Sequence, residues 1–490
     1  MFGWSLFSSS PFFLVLVLFS SINKIVYSSS SSSIFFELYK QENLTSPFVE
    51  IGISTSAYQT EGAFLSDSKT YSIWDRFVRS IPSPILDDST GDQSSLSYYF
   101  WKNDIELLKK MNIKNYQISL SWSRLFPTSN FSEPNQIAVT HYKMILEQLH
   151  DAGIEPWIVL FHWDLPYYFQ QEYGGWISGK IIKDFLFYSD FCFSNFGNLV
   201  KNWITIRDPI QFAIEGYQSG NHAPGVKSKV FSFLVAHNML IAHGEVYYLY
   251  TKNYKSIQKG KISIFLHTNF YYPQNPTSFQ DHYAKEWMMI NELHWFLDPI
   301  FLGDYPPLMK GQLEYQIPLF SLEEKQKIQY SIDFLAIEHY SSFDVSFTEL
   351  GTRPKKYPKS SSFQSAIAWD HIYPPSIYDL ISYIYEHYTL CLQEPFGIVL
   401  LSGVPTYNSQ HYDYPRFELL PRIYYHVLQL CKKYPNFLIS HFFIRTLADD
   451  FEWEYGYTRT FGLFHVNFTD PLRLRTPKES VSRFFPSYFQ

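Results

Sequence analysis

Eight short apolar runs rich in β-branched and aromatic residues recur along the chain: VEIGIST, YQISLSW, EPWIVLFHW, NWITIRD, KISIFLH, SIDFLAIEHY, FGIVLLSG and LISHFFIRTLAD. Apolar runs of this length are what strands buried on both faces require, as in a parallel sheet covered by helices. Helical patterns lie between them. YYFWKNDIELLKKMNI (98–113) repeats apolar residues at helical spacing, and HYKMILEQLHDAGI (141–154) does the same up to Gly153, a suitable helix terminator. Eight strands alternating with helices predict an α/β architecture, a (β/α)8 TIM barrel forming a single domain over 47–490 with long βα loops. In such a barrel chemistry gathers where strands end. The runs end in, or shortly before, Gln59, Trp122, His162 and Trp163, Asp208, Tyr340, Ser402, and Asp449 with Glu452.

The composition, 46% apolar and 20% aromatic over 490 residues, supplies a large core. Aromatic rings are ordinary core filler, and their faces also line sugar sites. A formal charge of -7 without a long basic run argues against a nucleic-acid or anionic-membrane partner. The run PFFLVLVLF (11–19) predicts a signal peptide over 1–27, followed by a Ser-rich lead-in over 28–46. No other run reaches the roughly 18 apolar residues of a membrane-spanning helix, so no transmembrane anchor is expected. The expected location is secreted or the endoplasmic reticulum lumen, which the sequons at Asn43, Asn130 and Asn467 fit as glycosylation sites.

Cys192, Cys391 and Cys431 are too few for a disulfide scaffold and are expected as core thiols. His222, in the loop segment NHAPG, and His294, before Trp295 in an apolar stretch, take structural readings. No spacing matches a tetrahedral zinc set or H-E-x-x-H, and there is no Gly-rich phosphate loop, so neither a metal nor a cofactor is expected.

Ten segments, in order, carry a resemblance: STSAYQTEGAF (54–64), SIWDRF (72–77), ISLSWSRLFP (118–127), LFHWDLP (160–166), YGGW (173–176), WITIRDP (203–209), GYQSGNHAPG (216–225), DYPPLMK (304–310), DFLAIEHYSS (333–342) and DDFEWEYGYTRTFGLFHVNF (449–468). Together they resemble glycoside hydrolase family 1, the β-glucosidase family, and within it the klotho and lactase-like branch. The resemblance implies retaining glycoside hydrolysis, in which two carboxyl groups about 5–5.5 Å apart serve as acid/base and nucleophile.

The matching positions depart from that chemistry. In the T-F-N-E-P segment of the fourth strand, Arg207 stands for the Asn and Asp208 for the acid/base Glu. With the seventh strand anchored on Glu394-Pro395 and Gly403, Leu401 stands at the nucleophile and Ser402 at the next Asn. Gln117 replaces an Arg that in the family holds the nucleophile, Glu338 and His339 replace the first two residues of N-Y-Y, and Arg445 replaces a Trp platform. Gln59, His162, Trp163, Tyr340, Glu452 and Trp453 match residues that in the family surround the sugar.

The resemblance therefore implies a noncatalytic glycosidase fold that binds a carbohydrate or protein ligand in the former substrate cleft. Klotho-type relatives add a receptor or growth-factor partner. Charges buried near one another usually pair. Arg207 or Arg445 is accordingly expected to pair with Glu338 or Asp208, the alternative being charges facing solvent at the rim. The rival function is an active β-glycosidase that uses Asp208 with a relocated carboxylate, Glu338.

Overall fold

The computed structural model describes residues 49–312, 317–349, 353–367, 370–391, 396–407, 411–434 and 438–485. The expected signal peptide, the lead-in, Asn43 and the Glu394-Pro395 anchor fall outside them. Each apolar run contains one barrel strand: β1 (Glu50–Ser54), β2 (Asn115–Ser119), β3 (Glu155–Phe161), β4 (Asn202–Arg207), β5 (Lys261–His267), β6 (Phe334–Glu338), β7 (Gly397–Ser402) and β8 (Leu438–Arg445). Every strand pairs in parallel with its neighbours in chain order, and β8 closes onto β1, giving the predicted (β/α)8 barrel.

Helices cover the outside: α1 (Ser97–Lys110), α2 (Gln136–Asp151), α3 (Lys180–Phe196), α4 (Phe231–Asn253), α5 (Phe279–Met289), α6 (Trp295–Leu302), α7 (Ser376–Tyr388) and α8 (Tyr414–Lys433). Local chemistry sets their ends. The Asn135 side chain accepts from the Ile137 and Ala138 amides to cap α2, and Gly153 just beyond it takes φ +67, a left-handed conformation that glycine adopts without strain.

The bore of the barrel is a packed core. Trp157, Val159, Ile204, Phe265, Phe334, Ala336, Val399, Leu401 and Phe443 form one buried cluster, with the Trp157 ring 5.5 Å from Phe334 and 5.2 Å from Phe443. Burying each such side chain contributes about 1.5–3 kcal/mol relative to exposure. Gly52 in β1 makes room for this filling, because a Cβ there would collide with the Phe443 ring. A solid bore leaves the C-terminal mouth as the place where side chains of different strands can meet around a ligand.

Two strand-end residues serve the scaffold instead. Trp122 is fully buried and stacks on Tyr188 of α3, with centroids 4.5 Å apart. Asp449 accepts from Lys478 at 2.5 Å and ties down the segment after the barrel. Cys192 and Cys431 lie in the core as expected, whereas Cys391 is only half-buried. Among the described residues no helix is long and apolar enough to cross a membrane.

Candidate active site

Adjacent strand residues ordinarily point to opposite faces, yet Arg207 and Asp208 both reach the mouth. The β4–β5 register shifts between Ile204 and Arg207, and Asp208 adopts a left-handed backbone (φ 51, ψ 54) that Asp tolerates better than most residues. The Arg207 guanidinium is 1% exposed and crosses to β6, where Nε and Nη2 donate to the two Glu338 oxygens, each at 2.8 Å. Nη1 donates to Ser54 Oγ at 2.7 Å and to Gln117 Oε1 at 3.3 Å, while Nε lies 3.6 Å from Asp208 Oδ2. Tyr340 Oη also donates to Glu338. Leu401 is fully buried and level with Glu338 on β6 and Phe443 on β8.

The protonation states of this cluster diverge. Burial pushes the Glu338 carboxyl up, but the Arg207 charge and hydrogen bonds outweigh it and hold the group at about 2. For Asp208, burial and then the charge of Glu338 drive the carboxyl well above the usual range, against the pull of Arg207. His162 is held well below its ordinary value by burial and then by Arg207, and is therefore neutral.

A second ion pair lies across the mouth. Arg445 donates to Glu452, so the expected partner Glu338 or Asp208 is replaced by a residue seven positions along the same segment. Rim exposure is excluded for these charges, since Arg445 is 9% exposed, Glu452 4% and Glu338 2%. Burial, and then the neighbouring Glu454, raise Glu452 to about 7 against the opposing pull of Arg445. Gln59 donates to the Phe451 carbonyl at 2.9 Å and approaches Glu452 at 3.4 Å, while its own carbonyl accepts from Ser56 at 2.8 Å.

Trp163 and Trp453 face one another with centroids 4.7 Å apart, and His162 packs edge-on against Trp453 at 5.6 Å. Both tryptophans have positive φ, 72 and 46, a conformation that costs a bulky residue on the order of 1–3 kcal/mol and persists where the surroundings enforce it. Trp163 Nε1 donates to the Arg207 and Asp208 carbonyls at 3.2 and 3.3 Å.

The model of "Glycosyl hydrolase family 1" matches residues 40–489. The chain belongs to glycosyl hydrolase family 1. Among its curated relatives, rice beta-glucosidase 25 is 33% identical over 88% of this chain and 92% of its own length. Arabidopsis beta-glucosidase 42 is 32% identical over 90% and 93%. The crystal structure of rice Os3BGlu6 beta-glucosidase superposes with a TM-score of 0.85 at 28% identity, covering 91% of this chain and 99% of that one. Aphid myrosinase gives 0.84 at 30% identity, covering 90% and 98%.

The barrel thus brings together the family 1 candidates read from the sequence: Gln59, Gln117, His162, Trp163, Arg207, Asp208, Glu338, Tyr340, Leu401, Arg445, Glu452 and Trp453 are linked by the contacts above. Asn130 and Asn467 lie exposed on the surface. Two neighbours were not singled out. Ser54 accepts from Arg207, and its only sequence signal is a polar residue closing the first apolar run. Asp450 is fully buried with no hydrogen-bond partner for either carboxyl oxygen among the described residues; burial pushes it well above the usual range. The acidic pair before FEW marks it in retrospect.

Proposed function

We propose that this family 1 protein binds a carbohydrate or a protein ligand at the barrel mouth without hydrolysing glycosides. One observation carries the reading: the Arg207–Glu338 pair occupies the mouth beside Leu401, a hydrocarbon at the position matched to the nucleophile. In our reading the buried charges have been relocated. A family Arg at 117 and Glu at 401 have become Gln and Leu, while residues 207 and 338 have become Arg and Glu. The exchange keeps one cation and one anion in the bore, as the cost of a lone buried charge demands. Neither Leu401 nor Ser402 can form a glycosyl ester.

Retained binding capacity is supported by the facing rings of Trp163 and Trp453 at the mouth, an aromatic surface of the kind that packs on a sugar ring. Beside them His162 Nδ1 and Asp208 Oδ1 are buried without a hydrogen-bond partner among the described residues. The resemblance to the klotho and lactase-like branch extends the occupant to a protein such as a receptor or growth factor. Titration with D-glucose and cellobiose, run beside an aryl β-glucoside assay, is expected to give saturable binding and no aglycone release.

A second reading has one observation in its favour: the Asp208 carboxyl is pushed up while the neighbouring Glu338 is held down, the divergence that separates an acid from a carboxylate in glycoside hydrolysis. Against it, both Glu338 oxygens are held by Arg207, which leaves neither free to attack an anomeric carbon or to activate water. Turnover that Glu338→Gln abolishes would establish this second reading and remove the first.

We also propose passage through the secretory pathway. It rests on the apolar run at 11–19 and on the exposed sequon residues Asn130 and Asn467. Protein expressed in a eukaryotic host is expected to lose mass on treatment with an N-glycanase. An unchanged mass would count against the secretory route.

A further inference from the structure

Beyond β5, α5 passes through a π-helical turn (Ile290–His294) into α6. In a regular α-helix Glu286 and His294, eight positions apart, would be rotated by about 80° from each other. The wide turn absorbs one residue, which makes the spacing equivalent to seven and returns both to one face. On the neighbouring α7, His387 completes a set of three in which one ligand atom from each residue lies within 4.8 Å of the others.

The hydrogen bonds around both rings orient them as metal-ligating imidazoles are oriented. His294 Nδ1 is 3.1 Å from Asp298 Oδ1 and 2.6 Å from Tyr388 Oη, and the Tyr388 hydroxyl donates its own proton to Asp298 Oδ1 at 2.5 Å, so that Nδ1 is left as the donor of the group. The neutral tautomer that satisfies Asp298 carries its lone pair on Nε2. His387 Nδ1 donates to the Tyr383 carbonyl at 2.9 Å, which leaves its Nε2 lone pair 4.0 Å from Glu286 Oε2. Between them the Tyr383 hydroxyl stands 2.8 Å from His294 Nε2 and 2.7 Å from Glu286 Oε2, one proton facing two acceptors. A cation would satisfy both acceptors and release Tyr383 to turn aside or to bind as a further oxygen ligand.

We propose that Glu286, His294 and His387 bind one divalent transition-metal ion of the zinc type. Two imidazoles and a carboxylate form a borderline-soft set that suits zinc over magnesium or calcium. Tetrahedral zinc requires its ligand atoms about 3.3 Å apart. The Glu286 and His387 side chains, 44% and 39% exposed, have the freedom to close from the present spacing onto the buried His294. The ion would fasten α5 to α7 on the outside of the barrel.

Sequence inspection finds no such set because the third ligand lies on a different helix. The test is calorimetric titration of EDTA-treated full-length protein with ZnCl2. One ion per chain is expected, with affinity falling at least about tenfold in His387→Ala and in Glu286→Gln, both of which alter surface side chains and leave the core intact. His282→Ala, on an exposed histidine elsewhere on α5, is expected to leave the affinity unchanged. Absence of stoichiometric zinc uptake, or equal affinity in the wild type and His387→Ala, would overturn the proposal.

Discussion

Arg207→Ala is expected to destabilise the protein by about 3–5 kcal/mol near neutral pH, the usual consequence of removing one partner from a buried ion pair. Glu338 is 2% exposed and takes two hydrogen bonds from that guanidinium, so its charge would be left with Tyr340 as its remaining side-chain donor. The effect has a defined pH dependence. Glu338 titrates at about 2 in the folded protein and at about 4.3 in an unfolded chain, so its contribution is fully present above the unfolded value and is lost as pH falls toward 2. The gap between wild type and Arg207→Ala in urea midpoints should therefore narrow from pH 7 to pH 3.5. Arg207→Met combined with Glu338→Leu should recover most of the loss, since removing both charges leaves no unpaired ion. A single variant as stable as the wild type would show that the pair does not hold the mouth together.

The second large effect is a gain of activity. Moving the charges back requires five changes together: Gln117→Arg, Arg207→Asn, Asp208→Glu, Glu338→Asn and Leu401→Glu. The set adds one cation and one anion and removes one of each, so the bore stays neutral. Aryl β-glucoside hydrolysis is expected to rise by about 10²–10⁴-fold over the wild-type background, the range that correctly placed acid/base groups supply. Leu401→Glu alone should fail, because it adds a carboxylate beside Glu338 and Asp208 with Arg207 already committed, and the fold should weaken. Arg445→Trp added to the set should act on KM, since it would release Glu452 and offer an aromatic face at the mouth.

The barrel was legible because its strands are buried on both faces, which demands short continuous apolar runs in place of an alternating pattern. Lateral order followed from chain order, as parallel βα units dictate. The candidate site was legible as a set of residues and less so as a set of contacts. Arg207 and Glu338 are 131 positions apart and meet only because the register shift and the left-handed Asp208 turn Arg207 inward. Arg445 closes β8 and pairs with Glu452 because the loop that follows the strand folds back onto its end seven positions later. Trp122 ends a strand run yet packs outward on Tyr188, since the chain enters a helical turn at that residue. The Glu286–His294–His387 set was invisible because a π-helical turn shifts the spacing by which two ligands on one helix are recognised.

A relative, the rice Os3BGlu6 Glu-to-Gln mutant, has been captured in a covalent complex with glucose. The corresponding capture tests the present chain most directly: incubation with 2-deoxy-2-fluoro-β-D-glucosyl fluoride followed by intact-mass measurement. The unchanged mass of the protein is the expected result, because Leu401 offers no oxygen to the anomeric carbon and Glu338 is held by Arg207. A stoichiometric increase by one fluoroglucosyl group, mapped to Glu338 or to any other carboxylate of the mouth, would contradict it.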